Sequence, residues 1–210
     1  MKFKTAFALA LAVTFVGSVA TALIASGPHD LSGLAAADNG ETCVYCHTPH
    51  QGDTAQKGPL WNKGSYDGSG WTTYTSSTID MTVSAPGSAS TICLGCHDGG
   101  TAADNIINAP TNAADTPNYT SGGADRGWGT PTFNDATNLD TGASEHPVGI
   151  TYDTNADGDF KASPTGVILY GTSSDTVECM SCHDVHNYTN IPFLRTSNTN
   201  SALCLACHTK

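Results

Sequence analysis

Apolar positions are concentrated at one end of the chain. A run from Ala6 to Val19 follows Lys2 and Lys4 and gives way to small residues at Ala20-Thr21-Ala22 and Ala25-Ser26-Gly27. That order predicts a secretory signal peptide over residues 1–25, cleaved between 20 and 25. The run is short for a membrane span and no later stretch approaches the needed length, so the expected mature chain is exported with no membrane span. Beyond it, Gly, Pro, Ser, Thr, Asn and Asp recur throughout, which favours turns over long regular elements. The expected elements are few. Gly166-Val167-Ile168-Leu169-Tyr170 reads as a short strand or as a cover for a cofactor face. Residues 101–144, punctuated by Pro110, Pro117, Gly122-Gly123, Gly127, Gly129 and Pro131, read as an irregular insert ordered around Trp128 and Phe133.

Against this weak patterning stand four five-residue motifs: Cys43-Val44-Tyr45-Cys46-His47, Cys93-Leu94-Gly95-Cys96-His97, Cys179-Met180-Ser181-Cys182-His183 and Cys204-Leu205-Ala206-Cys207-His208. They use all 8 cysteines, leaving none for a disulfide framework or a thiolate metal site. Two thiols two residues apart can add across the vinyl groups of a haem, and the next histidine is then held under the iron. Zinc sites of the four-cysteine kind need no histidine after every pair, and a thioredoxin-like CxxC needs a βαβ setting that is absent here. The reading is four covalently attached haems c, each motif forming a short helical turn that brings thiols and histidine to one side.

The cofactor count changes the view of both core and charge. Removal of the signal takes Lys2 and Lys4, leaving six basic side chains against 19 acidic ones, a formal charge of −13. Such a surface repels nucleic acid and anionic lipid, so Trp61, Tyr66, Trp71 and Tyr74 are expected to pack on haem edges rather than stack on bases. About 185 mature residues make one domain by length, 26–210. The fold class expected is small and irregular, mostly coil with short helices and few short strands, the polypeptide wrapped around a four-haem stack.

Eight histidines serve these four haems. His47, His97, His183 and His208 are the proximal ligands; His29, His50, His146 and His186 remain, one distal ligand for each iron. Two imidazoles at every iron close it to substrate, which points to electron transfer and away from an enzyme. In each CxxCHxxH segment the last histidine cannot reach the far face of the haem bound by its own motif. His50 and His186 are therefore expected to ligate adjacent haems. The spacing also repeats: His29, Cys43 to His50 and Cys93 to His97 mirror His146, Cys179 to His186 and Cys204 to His208. The chain reads as two dihaem units, about 26–100 and 145–210. Asp153, Asn155 and Asp157, with Gly158 at the turn, match the first half of an EF-hand loop, but Pro164 stands where the closing glutamate belongs; an Asx-rich turn is the plainer reading.

Gly27-Pro28-His29-Asp30-Leu31-Ser32, Cys43 to His50, Cys93 to Gly99, His146-Pro147-Val148-Gly149, Cys179 to Asn187, Phe193-Leu194-Arg195 and Leu203 to His208 resemble the multihaem c-type cytochromes with doubled CxxCH motifs. Within that group the chain looks most like the OmcE-type extracellular tetrahaem filament cytochromes. The resemblance implies a secreted, cell-surface protein that associates with copies of itself into a conductive filament and passes electrons to redox proteins or extracellular acceptors. It also implies a distal histidine that crosses between subunits, for which His29 on the lead-in is the candidate; ligation within its own chain is equally convenient. The alternative is a monomeric periplasmic electron shuttle with the same haem chemistry.

Overall fold

The computed structural model describes residues 24, 27–32, 40–56, 58–64, 73–97, 106–108 and 146–209. The expected signal segment (Ile24 apart), Tyr66, Trp71, Trp128, Phe133 and all of the insert except 106–108 lie outside the described residues.

The described residues are mostly coil. Helix α1 spans Ser88–His97 and helix α2 spans Cys179–Cys182. Single 3-10 turns occupy Cys43–Tyr45, Thr199–Ser201 and Cys204–Ala206. All four CxxCH motifs thus form or end on a helical turn, as expected. Strands β1, Ile150–Thr151, and β2, Thr176–Val177, pair antiparallel in the register Ile150 to Val177 and Thr151 to Thr176. Gly149 turns the chain into β1 at φ +73°, where a Cβ would run into the Ser84 carbonyl; no other residue fits this turn without strain.

The expected strand at 166–170 does not form. Only Tyr170 enters a bridge, with Thr176, and the Ile168 N–H reaches the Ser181 carbonyl. The Asp153 loop is a pair of Asx turns: Asp153 Oδ1 accepts the Asn155 N–H (2.8 Å) and Asp157 Oδ1 the Asp159 N–H (2.8 Å).

Helices α1 and α2 pack together through polar groups. Glu178, the N-cap of α2, is 4 % exposed, and its carboxylate accepts the Gly87 N–H at 2.9 Å and the Ser90 hydroxyl. Ser90 Oγ in turn accepts the Cys179 N–H at 2.8 Å. The two helices that carry the second and third CxxCH motifs are therefore joined at one buried carboxylate. Apolar burial is sparse by comparison: Leu31, Tyr45, Leu94, Ile150, Val177, Phe193 and two alanines, Ala89 and Ala206, are the buried apolar residues among those described.

Candidate functional site

Three of the four motif histidines are held by the same backbone device. His47, His183 and His208 each form an isolated antiparallel bridge, with Trp61, Leu194 and Phe160 respectively. In each case the preceding cysteine carbonyl accepts an N–H (Asn62 to Cys46 at 2.8 Å, Arg195 to Cys182 at 2.8 Å, Lys161 to Cys207 at 2.8 Å). The residue after the histidine donates back, Thr48 to Leu60, Asp184 to Phe193 and Thr209 to Asp159. Two hydrogen bonds flanking each histidine fix its backbone and hence the direction in which its ring leaves the chain.

In two of these clamps the imidazole is oriented as well. His47 Nδ1 lies 2.7 Å from the Pro59 carbonyl and His183 Nδ1 lies 2.9 Å from the Pro192 carbonyl. In the tautomer that donates Nδ1–H to these carbonyls, Nε2 is left as the metal-facing lone pair, the outer-shell arrangement typical of metal-bound histidine. His146 makes the same kind of contact with the Pro147 carbonyl, at 2.9 Å. Sequence reasoning did not single out Pro59 or Pro192 as positioning residues. A signal was available in the sequence, since Pro59-Leu60-Trp61 and Pro192-Phe193-Leu194 each follow a CxxCHxxH segment; in the structure Leu60 and Phe193 both adopt positive φ, +52° and +61°.

The fold brings the remaining histidines to the motif histidines selectively. The His47 and His186 rings lie 6.1 Å apart, centroid to centroid, with planes at 20°. His29 and His97 lie 5.9 Å apart with planes at 68°. Two imidazoles bound end-on to one metal, each nitrogen about 2 Å from it, hold their centroids about 6 Å apart, so both pairs fit a six-coordinate iron. His146 lies within electrostatic range of His208. His50 is exposed, and its carbonyl accepts from Thr48 Oγ1 and Asn108 Nδ2 at 3.0 Å each. Within the chain the His29 ring stacks on Phe193 at 4.6 Å, and its Nδ1 is buried with no hydrogen-bond partner.

Burial disfavours the charged form of two of these rings, His29 and His146. Burial, with smaller contributions from His97 and His183, lowers the His29 pKa to about 4. Burial also lowers that of His146, opposed by its bond to the Pro147 carbonyl and reinforced by His208, although the residue as a whole keeps much of its surface in solvent. A neutral imidazole is the form that ligates metal.

The thiols are grouped around the third motif. A hydrogen bond between the thiols of Cys179 and Cys93 lowers the Cys179 pKa against its burial. Burial pushes Cys182 up to about 11, with Cys207, Cys179 and Cys204 adding to the rise and Arg195 opposing it. The third motif therefore faces both the second and the fourth. Around the clamps, Leu60 (54 % exposed), Ile191 (70 %) and Val185 (37 %) leave apolar surface beside the histidines that a planar apolar cofactor would cover. Donor set, ring spacing and apolar surround all fit haem c.

A family model described as a doubled CXXCH motif matches residues 173–210, the stretch that holds the third and fourth motifs. No curated protein is similar enough to this chain to match it. The doubled motif indicates covalent haem c binding and is consistent with a multihaem c-type cytochrome and with electron transfer.

Proposed function

We propose that this chain is a tetrahaem electron-transfer protein with two histidines at every iron, and that it works as the subunit of an extracellular conductive filament. The observation that carries the electron-transfer reading is the pairing of CxxCH histidines with histidines remote in sequence at about 6 Å, His47 with His186 and His29 with His97. Haem c, when bound, supplies reversible one-electron chemistry at iron.

The chain's own residues do the rest. Cys43 and Cys46, Cys93 and Cys96, Cys179 and Cys182, and Cys204 and Cys207 hold the four groups. His47 pairs with His186, His97 with His29 and His208 with His146. His50 then serves His183 by the same exchange that gives His186 to His47, since each lies three residues beyond a motif histidine. These reciprocal ligands, with the matched clamps at Trp61 and Leu194, support the reading of two related units that are interlocked rather than separate. Asp184 sets one of these ligands, its Oδ1 accepting the His186 N–H at 3.1 Å. Haems held by two histidines each would leave no place for a substrate at iron, so the chain is read as a conductor and not an enzyme.

The filament, the cell-surface location and an OmcE-like assembly rest on the motif resemblance. Two measurements test the whole reading. His186→Met is expected to change the spectrum and potential of the haem attached at Cys43 and Cys46, followed by paramagnetic NMR of assigned haem methyls; a change confined to the haem at Cys179 and Cys182 would sink the ligand assignment. Negative-stain microscopy of material released from cells should show filaments with a helical repeat, whereas discrete small particles would identify a shuttle.

A further inference from the structure

We propose that Phe193 is a positioning residue that sets the plane of the His29 ring relative to that of His97, making this site electronically distinct from the His47–His186 site. The inference rests on the two-histidine reading above and deepens it.

The orientation of His29 has an unusual origin. His47, His183 and His146 are each oriented by a carbonyl bonded to Nδ1, from Pro59, Pro192 and Pro147. Nδ1 of His29 is buried and has no such partner. What holds this ring is a face: the Phe193 ring lies 4.6 Å from it at 13°, close to parallel. Offset stacking of this kind restrains rotation about the ring normal only weakly but fixes the plane itself.

Phe193 is well placed to impose that plane. It is 6 % exposed, its backbone sits at φ +61°, its carbonyl accepts the Asp184 N–H at 2.7 Å, and Tyr188 packs on its ring at 5.0 Å and 49°. The lead-in that carries His29 is anchored separately, Asp30 Oδ1 accepting from the Ser32 N–H (3.1 Å), the Ser32 hydroxyl (2.6 Å) and the Thr42 hydroxyl (3.2 Å). Backbone anchoring sets where the ring is; the stack sets how it is turned. In the matching clamp the position of Phe193 is taken by Leu60, which has no ring and is 54 % exposed, and His47 is turned by Pro59 and by edge contact with Trp61 at 81°.

The result is two interplanar angles, 68° for His29 with His97 and 20° for His47 with His186. Each imidazole donates π density to the iron d orbital perpendicular to its plane. Near-parallel rings raise the same orbital and split the pair, which gives a rhombic low-spin ferric signal. Rings near perpendicular raise both orbitals alike, which leaves them nearly degenerate and gives a strongly anisotropic signal with a large maximum g value. Ligand identity is the same at both irons; ligand orientation distinguishes them.

Electron paramagnetic resonance of the fully oxidised, full-length holoprotein tests this. The wild type should be low-spin throughout and contain both a rhombic signal and a large-g signal. In Phe193→Leu one haem's share of the large-g signal should be lost or moved towards the rhombic region, with the rhombic signal unchanged; Phe193→Tyr, which keeps the ring, should restore the wild-type spectrum. A low-spin wild type lacking any large-g signal overturns the proposal even if the leucine variant does not fold, and so does a large-g signal unmoved by Phe193→Leu. A high-spin ferric haem in the wild type would instead overturn the two-histidine reading on which the proposal rests.

Discussion

Among the described residues Glu178 is one of the few ionisable side chains that are buried, and its position explains why. It caps α2, the Ser181 Oγ accepting its own N–H at 2.9 Å, and its carboxylate reaches across to Gly87 and Ser90 at the start of α1. Burial raises its pKa, while the Ser90 and Gly87 bonds pull it down less strongly. A carboxyl group whose folded pKa is raised binds its proton more tightly when folded. Its contribution is complete below the ordinary carboxylate range and is lost as the pH rises through the raised value. Chemical unfolding across pH should therefore show the wild type gaining on Glu178→Gln as the pH falls through that range; a difference independent of pH would mean that the buried carboxylate is not what is titrating. Cysteine chemistry at this scale was legible in the sequence because CxxCH is complete within five residues. Glu178 was not, because its partners Gly87 and Ser90 lie about 90 residues away.

At the scale of elements the repeated unit is a clamp: a motif histidine bridged to a short extended segment, with hydrogen bonds on either side. Long strands would be redundant for this purpose, and among the described residues the segments between motifs form none. Asn62 joins the first clamp to the described part of the insert. It is fully buried, donates through Nδ2 to the Val44 carbonyl (2.6 Å) and the Asn108 carbonyl (2.8 Å), and accepts the Asn108 N–H (2.8 Å). Asn62→Ala would strip partners from three backbone groups at once and is expected to cost about 3 kcal/mol in denaturant titrations. The helical turns at the motifs were readable from spacing. The expected strand at 166–170 was not realised, since Tyr170 turns back at once through Gly171 (φ +83°) to bridge Thr176.

At the scale of the whole molecule, the scarcity of buried apolar side chains among the described residues bears on what holds it together. A chain of this length normally needs a continuous apolar core to offset the conformational entropy of folding. Here the two helices meet through a polar network, and Leu60, Ile168 and Ile191 stay exposed at 54 %, 45 % and 70 %. Haems covering such surface would supply the missing core. Chain produced without haem attachment, by replacing all eight cysteines with alanine, should accordingly lack cooperative unfolding and give a coil-like far-ultraviolet circular dichroism spectrum, while the holoprotein unfolds in one sharp transition. A cooperatively folded apoprotein would show that the side chains suffice.

The sequence by itself determined the chemistry: four CxxCH motifs, eight cysteines with no other use, and a second set of four histidines equal in number to the first. These are local or countable properties, fixed by bonding rules that act over a few residues. Which histidine meets which was decided only by the tertiary structure. His186 lies beside His47, and His29 is turned by Phe193 against His97, across most of the chain's length. Such pairings depend on where turns and isolated bridges carry each segment. With no regular periodicity between the motifs, nothing along the chain encodes that path in a form that can be read before it folds.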